Sequence, residues 1–325
     1  MQKRVAKLQS LLENKIKAHQ YGSTPKELYE PIRYIMNLGG KRLRPILSML
    51  SYSLFKEDPE SILDQALAIE VFHNFTLMHD DIMDEAPLRR GKATVHEKWN
   101  SNTAILSGDV MLVKAYQLLL STRKKQLKKV VRVFSDCAAQ VCEGQQMDML
   151  FETKAKVTEL EYLEMIKLKT AVLLGMSLEM GAILAEANKK NQLALRDFGI
   201  NIGIGFQLKD DLLDVYGEKE KFGKQVGGDI MANKKTFLLI KALEGANREQ
   251  KARLKTLIAQ SGALAANKVS EVTAIYNEMG IRELTEAKMN EYFDKGFAAL
   301  RNVETTLINK AALKGFAEAL ADRQH

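Results

Sequence analysis

The chain has few cysteines, few aromatic residues and no long apolar run, and each shortage excludes a class of protein. Its two cysteines, Cys137 and Cys142, fit neither a zinc site nor a disulfide framework, so we expect a cytoplasmic protein. Aromatic residues make up only 7%, and no stacking motif accompanies the lysine runs, which argues against a nucleic-acid partner. The N-terminus has no signal-peptide pattern, and charged residues interrupt every apolar run, so we expect no transmembrane segment.

What is abundant favours helices. The chain of 325 residues is 46% hydrophobic and has 5 Pro against 20 Gly, and it shows neither an alternating strand pattern nor a solenoid repeat. We therefore predict an all-α protein with a single domain over residues 1–325. The net charge of +7 suits a polyanionic partner without choosing between a nucleic acid, a lipid surface and a phosphorylated substrate.

The most specific feature is an Asp-Asp-x-x-Asp pentapeptide that occurs twice, each time in an apolar, helix-compatible run. The first copy contains Asp80, Asp81 and Asp84, and the second Asp210, Asp211 and Asp214. Residues four apart share a helix face, where like charges repel unless cations lie over them. Oxygen ligands without cysteine or paired histidine favour Mg²⁺ or Mn²⁺. A solvated acidic face would explain one copy, but it is a weak explanation for two.

Basic residues accompany the two acidic motifs in excess of what one phosphate needs: Lys41, Arg44, Arg89, Arg90, Lys169, Lys224 and Lys234. Two diphosphate groups are therefore plausible, one held through metal ions and the other by Arg and Lys directly. Loss of a metal-bound diphosphate would leave a carbocation, which the Thr170 hydroxyl, the Lys169 carbonyl and the Gln207 amide oxygen could stabilise. The departed diphosphate can take the final proton, so no separate general base is needed.

With these motifs the chain resembles the trans-isoprenyl diphosphate synthases, the polyprenyl synthetase family, over nearly its whole length. The matching pieces are Gly-Gly-Lys-x-x-Arg-Pro at 39–45, His73, both acidic motifs, Arg89-Arg90-Gly91, Gly144-Gln145 with Asp148, Lys169-Thr170, Gln207, Gly223-Lys224 and Gly228-Asp229 with Lys234. The resemblance implies an all-α helical bundle of the isoprenoid synthase type, usually a homodimer. It also implies a deep central cavity, with the two acidic motifs facing each other at the cavity mouth.

The resemblance also implies a reaction and its cofactor. A prenyltransferase of this family condenses isopentenyl diphosphate with an allylic diphosphate (dimethylallyl, geranyl or farnesyl). It uses Mg²⁺, expected here as three ions per active site, with Mn²⁺ as the alternative.

Individual roles follow from the same resemblance. Asp80, Asp84 and Asp210 are implied to bind Mg²⁺ directly, and Asp81, Asp211 and Asp214 to help mainly through water. The allylic diphosphate would contact Arg89, Lys169, Lys224 and Lys234, and isopentenyl diphosphate would contact Lys41, Arg44, His73 and Arg90. His73 also fits without the resemblance, because it lies about two helical turns before Asp80 on one face. Gln145 and Asp148 are either supports for the site or ordinary helix residues.

Product length is expected to depend on Phe75 and Thr76. Phe75 precedes Asp80 by five residues, about 7.5 Å along a helix, and in this family a large residue there acts as a floor for the growing chain. Thr76 is small, and the first motif lacks the two-residue insertion typical of bacterial farnesyl synthases. Together these features favour a C20 product over C15.

Three other functions remain open: a longer-chain polyprenyl synthase, a class I terpene cyclase and an inactive partner subunit of a heteromeric synthase. A cyclase has no use for a second diphosphate site at Lys41, Arg44 and Arg90, and an inactive subunit does not need two intact acidic motifs. The family often has Gly where Asn233 stands and Pro where Phe237 stands, from which we expect altered loop closure without loss of the site. Arg323 is a candidate match to a basic C-terminal residue of some members.

Overall fold

The structure is a computed structural model that describes residues 2–217, 227–260 and 267–321. In chain order its α-helices are α1 (Gln2–Ala18), α2 (Lys26–Asn37), α3 (Leu43–Tyr52), α4 (Leu63–Met83), α5 (Val95–Lys98), α6 (Ser101–Leu119), α7 (Lys124–Thr153), α8 (Glu159–Ile166), α9 (Val172–Leu184), α10 (Lys189–Tyr216), α11 (Gly228–Met231), α12 (Phe237–Gly245), α13 (Arg248–Ile258), α14 (Lys268–Glu278), α15 (Ile281–Arg301) and α16 (Leu307–Ala321). The predicted all-α fold is confirmed.

Three short elements were not foreseen from the sequence pattern. A 3₁₀ turn covers Pro59–Ile62, and a two-stranded antiparallel hairpin pairs β1 (Leu88–Arg89) with β2 (Lys92–Ala93). A π-helical turn covers Lys167–Ala171 between α8 and α9. Helical periodicity cannot reveal such pieces, because each is shorter than the window that periodicity needs.

The chain divides into two compact units. Unit 1 comprises residues 1–135, 176–193 and 304–313, and unit 2 comprises residues 136–175, 194–303 and 314–325. The single domain over residues 1–325 stays a prediction. Within the described ranges, every helix is too short or too polar to cross a membrane.

Unit 1 is built around α4. This helix packs against α1, α2, α3 and α6, and it is buried on most of its circumference between residues 65 and 75. A helix that is apolar nearly all round must lie inside a core. Only its last turns reach a less buried setting, and those turns carry the first acidic motif.

Unit 2 has two apolar clusters that fix the helices around the second acidic motif. One cluster joins α8, the π-helical turn, α10 and α12, with Tyr162 and Phe237 among its buried aromatic residues. The other joins the end of α10 with α11 to α15 and includes Leu212 and Tyr276. Because α10 contributes to both clusters, the carboxylates near its C-terminal end are held by a rigid helix.

Candidate active site

The first acidic motif lies at the C-terminal end of α4. Asp80 is partly buried, Asp84 is exposed, and Asp81 is 3% exposed. Asp80 and Asp84 share a face, since they are four residues apart. Asp81 is rotated about 100° from that face, toward the protein.

Arg89 accounts for the burial of Asp81. Its Nε donates to both carboxylate oxygens of Asp81, at 2.9 and 2.8 Å, and its Nη2 donates at 2.6 Å. Arg90 and Gly91 form the two-residue loop of the hairpin, with φ of 54° and 73°, as a turn with two positive φ values requires. The hairpin thus folds Arg89 back onto the acidic motif.

The basic residues assigned to isopentenyl diphosphate come together in unit 1. Arg44 Nη1 lies 3.0 Å from His73 Nε2, and Arg90 donates to the carbonyl of Gly39. A Cβ at Gly40, where φ is 132°, would lie 2.8 Å from the Arg90 guanidinium, so glycine is required for this close approach. Lys41 follows directly and is exposed. The structure therefore gathers Lys41, Arg44, His73 and Arg90 around one loop.

His73 is electrically neutral in this setting. Burial, followed by the positive charges of Arg44, Arg90 and other arginines, lowers the pKa of His73 well below its ordinary value. Since an arginine can only donate, Nε2 of the neutral ring accepts the bond from Arg44. A bound diphosphate would oppose the surrounding positive charge and raise the pKa of the imidazole again.

Arg42, between Lys41 and Arg44, was missed by the sequence reasoning. It is 3% exposed and donates to Glu70 at 2.7 Å, to Glu13 at 2.8 Å and to the Met36 carbonyl at 2.7 Å. Its own φ is 49° at the N-terminus of α3. This buried network ties the basic loop to α1 and α4. The signal that could have found it is Glu70, a lone acidic residue in an apolar run.

Phe75 and Thr76 lie in the middle of α4, as predicted. Phe75 is 8% exposed, and its ring centre is 4.7 Å from that of His79 and 5.7 Å from that of Phe72. The Thr76 hydroxyl donates to the His73 carbonyl at 2.8 Å. Phe75 is thus a packed ring about one and a half turns before the first motif.

The second acidic motif lies near the C-terminal end of α10, in unit 2. Asp210 and Asp214 are partly buried, whereas Asp211 is 4% exposed. Asp214 Oδ2 accepts the backbone N–H of Asp229 at 2.9 Å, at the start of α11. Asp211 accepts a hydrogen bond from the Tyr162 hydroxyl. As in α4, the middle aspartate is the most buried of the three.

A chain of hydrogen bonds joins the residues proposed to face a carbocation. The Thr170 hydroxyl donates to Gln207 Oε1 at 3.4 Å, and Gln207 Nε2 donates to Asp211 at 3.4 Å. Burial and then the negative charge of Asp229 raise the pKa of Asp211 well above its ordinary value, while the hydrogen bond from Tyr162 acts in the opposite direction. Tyr162 was not foreseen, because only tertiary packing places it beside Asp211.

Lys169 lies in the π-helical turn and pairs with α7. Its Nζ donates to Asp148 at 2.5 Å, a contact that is consistent with a supporting role for Asp148. A Cβ on Gly144, one turn before Asp148, would lie 2.2 Å from the backbone nitrogen of Lys169. Gly144 therefore permits the backbone contact between α7 and this turn. π-helical turns inside helices are frequent at functional sites.

A cavity of about 110 Å³ lies beside these residues of unit 2. Its wall includes Asp148, Lys169, Thr170, Gln207, Asp211, Asp229 and Lys234. Lys234 is exposed, and its backbone N–H donates to the Asp229 carbonyl at 2.9 Å. Lys224 and Arg323 lie outside the described residues. Asp210 and Asp214 lie on α10 beside the cavity, whereas Gln145 lies on α7 and is not part of its wall.

The donor set suits a hard divalent cation. All six carboxylates lie in the last two turns of α4 or α10 or directly after α4, where the partial negative charge of the helix end adds to theirs and favours a bound cation. Their ligand atoms are oxygens, which Mg²⁺ prefers. In the described part of the chain, no three His, Cys, Asp or Glu side chains are already grouped closely enough to hold an ion.

Comparison with known proteins agrees with this geometry. The polyprenyl synthetase family model matches residues 25–279. The chain is 41% identical over 239 residues to a short chain isoprenyl diphosphate synthase of Methanocaldococcus jannaschii, covering 73% of each. It is 44% identical over 222 residues to a geranylgeranyl diphosphate synthase of Methanosarcina mazei, covering 68% of each. A crystal structure of a geranylgeranyl pyrophosphate synthase superimposes with a TM-score of 0.94 at 41% identity, covering 99% of both chains.

The fold, the two acidic motifs and these matches define the class: the chain belongs to the polyprenyl synthetase family. The resemblance found in the sequence is thereby confirmed. Within that class the predicted enzyme type, a prenyltransferase that elongates trans-prenyl chains, is confirmed as well.

Proposed function

We propose that the protein condenses isopentenyl diphosphate head-to-tail with an allylic diphosphate, in a Mg²⁺-dependent reaction that gives a short all-trans product. C20 is favoured over C15, because Phe75 is packed near the first motif and because similar proteins are geranylgeranyl diphosphate synthases. We also propose a homodimer and a cytoplasmic location, on the family resemblance and the cysteine content respectively.

The observation that carries this proposal is the basic cluster of unit 1. Arg44 and His73 are in contact at 3.0 Å, and Arg90 is bonded to the loop that carries Lys41. His73 shares a face of α4 with Asp80, about two turns away. An enzyme that only ionises one diphosphate does not need this second anion site, whereas a condensing enzyme does.

Binding of a metal ion would require these carboxylates to be ionised. We propose that Asp80, Asp84 and Asp210 hold Mg²⁺ directly, three ions per active site, with Mn²⁺ as the alternative. Mg²⁺ would neutralise the charge that develops on the leaving diphosphate. Asp81, Asp211 and Asp214, each bonded to a protein donor, would keep the motifs oriented and reach the ions through water.

The chain's other residues would bind and orient the two substrates. Arg89, Lys169, Lys224 and Lys234 would hold the allylic diphosphate, whose carbon–oxygen bond breaks with the electron pair leaving on oxygen. The π electrons of isopentenyl diphosphate then form the new carbon–carbon bond, and the proton lost from its C2 passes to a diphosphate oxygen. The Thr170 hydroxyl oxygen, the Lys169 carbonyl and Gln207 would face the transient cation.

The test is incubation with isopentenyl diphosphate, Mg²⁺ and each allylic primer, with product mass as the readout. Arg90→Ala should raise the KM for isopentenyl diphosphate about ten- to hundredfold, the effect of one lost charged hydrogen bond, and leave the KM for the primer nearly unchanged. Arg123→Ala, an exposed arginine of unit 1, is the control. Conversion of a primer without consumption of isopentenyl diphosphate would identify a cyclase and overturn the proposal.

A further inference from the structure

Unit 2 contains a second cavity that the proposed reaction does not use. Its volume is about 380 Å³, against about 110 Å³ for the cavity beside Lys169. The connection between α7 and α8, the helix α12 and the helix α13 form its walls, and its apolar lining includes Val157, Leu239, Ile240 and Leu243. Ligand pockets of proteins commonly span about 300–1,000 Å³ and are mostly apolar, so this cavity has the size and lining of a binding site.

Four lysines surround this apolar cavity: Lys156, Lys235, Lys251 and Lys255. None of the four has a carboxylate partner among the residues that the structure describes. A neighbouring lysine does have carboxylate partners: Lys241 pairs with Glu159 at 3.0 Å and with Glu244 at 2.8 Å. Glu244, the one carboxylate that the described residues place in the wall, is therefore already paired with Lys241.

This combination selects an amphipathic anion. Four like charges around a cavity raise the local potential for a multiply charged head group, while the apolar wall favours a hydrocarbon chain over water. Among the described residues, none that lines the cavity is aromatic, so they offer a nucleobase no ring to stack on. A soluble phosphate alone would leave the apolar volume unfilled.

We propose that this cavity is a second, metal-independent binding site for a prenyl diphosphate, the chemical class of the product. The inference rests on the proposed function for the identity of the occupant. Lysine ammonium groups can bind a diphosphate without a cation, and the wall offers no cluster of carboxylates to recruit one. Lys235 borders both cavities, so an occupant here lies next to the residues that would hold the allylic substrate.

The test uses farnesyl thiodiphosphate, whose sulfur-linked leaving group resists ionisation, and measures equilibrium binding by titration calorimetry. In EDTA, where binding at the acidic motifs should be lost, and with excess isopentenyl diphosphate to fill the basic cluster of unit 1, we expect one remaining site per chain. Lys251→Glu with Lys255→Glu, one turn apart on α13, should weaken this binding at least about tenfold, as the loss of charged contacts predicts. Arg248→Glu with Arg253→Glu is the matched control, since it makes the same charge change on the same helix but both residues lie outside the cavity wall. Inorganic diphosphate in EDTA should bind at least about tenfold more weakly than the farnesyl analogue.

Absence of binding in EDTA, or binding that the double variant retains, would overturn the second site. Equal affinity for inorganic diphosphate would refute the amphipathic occupant. Lysine-dependent flotation with phosphatidylglycerol vesicles, without binding of the analogue, would instead make this cavity a membrane-docking surface and also overturn the proposal. Turnover with isopentenyl diphosphate is measured on the same samples. Turnover without metal-independent binding refutes the second site alone, whereas binding without turnover refutes the proposed function.

Discussion

Replacement of Arg42 by methionine should destabilise the protein strongly, although Arg42 touches no substrate in the proposed reaction. The reason is Glu70, which is 2% exposed and has Arg42 Nη1 at 2.7 Å. Removing one partner of a buried ion pair leaves an uncompensated charge and costs about 3–5 kcal/mol. We therefore expect Arg42→Met to lower the free energy of unfolding by that amount.

Removing both partners should cost less than removing one. In the double variant Arg42→Met with Glu70→Leu no charge is left buried, so most of the loss should be recovered. About 1–3 kcal/mol should remain, because the Met36 carbonyl loses its donor. The coupling between the two positions should therefore be about 2 kcal/mol or more.

An exposed ion pair that also involves α4 gives the control. Lys15 on α1 lies 2.6 Å from Asp64 on α4, with 34% and 37% of the side chains exposed. Exposed pairs contribute about 0–1 kcal/mol, so Lys15→Met should change stability little. The measurement is the urea dependence of unfolding, with slopes compared to verify that each variant unfolds the same structure.

The same variants separate the effect of Arg42 on protein stability from its effect on the position of the basic loop. Because Arg42 ties the basic loop to α1 and α4, the double variant should keep a raised KM for isopentenyl diphosphate although its stability recovers. A single-variant cost below about 1 kcal/mol, or two single effects that simply add, would refute the assignment of a buried, coupled pair.

Three further changes probe the site. Phe75→Ala should lengthen the product by removing the proposed floor, as read from product mass. Gly144→Ala would place a Cβ 2.2 Å from the backbone nitrogen of Lys169, so it should displace that turn and lower kcat/KM for the allylic substrate at least about tenfold. Tyr162→Phe removes a bond that favours the ionised Asp211 and should raise its pKa further. Because a carboxylate attracts the ions through water only when it is ionised, the Mg²⁺ concentration for half-maximal rate should rise, and more at pH 6 than at pH 8.

Each of these changes has a control elsewhere in the chain. Phe134→Leu also opens space in a core, but it should leave product length unaltered. At Gly245 an added Cβ would meet its nearest atom at 3.4 Å, so alanine there should keep activity. The Tyr52 hydroxyl donates to Asp58 at 2.9 Å, away from the site, and Tyr52→Phe should not change the Mg²⁺ requirement. An effect of similar size in a control would contradict the corresponding prediction.

The acidic helices could be predicted from the sequence because the residues that form each pattern are neighbours in space as well as along the chain. The apolar, helix-compatible run that holds the first motif is α4 (Leu63–Met83), since its length and apolar character fix it without help from other segments. The shared face of Asp80 and Asp84 follows from helix geometry alone. The contacts to substrates were assigned from the family resemblance, and they stay predictions until binding is measured.

Contacts between distant segments could not be derived in this way. Arg44 and His73 are 29 positions apart, and Tyr162 and Asp211 are 49 apart, so only packing decides that they meet. The hairpin that carries Arg89 was missed for a different reason: its Arg-Gly loop is not among the usual dipeptides of tight turns. Asp211 has its partner through a contact of the first kind, and Asp81 has its partner through the hairpin.

The two acidic motifs show why the pentapeptide has three aspartates rather than two. In both α4 and α10 the first and third aspartates share a face, and the middle one is turned about 100° away. Asp81 and Asp211 are the most buried member of each motif, yet their partners differ in kind, an arginine and a tyrosine. The two motifs lie in separate units and use different donors, yet in both of them the middle aspartate is the buried one. Helix geometry is therefore the common cause. The middle carboxylate is directed into the protein, where a donor must satisfy it, and it thereby fixes the rotation of the helix that presents the other two.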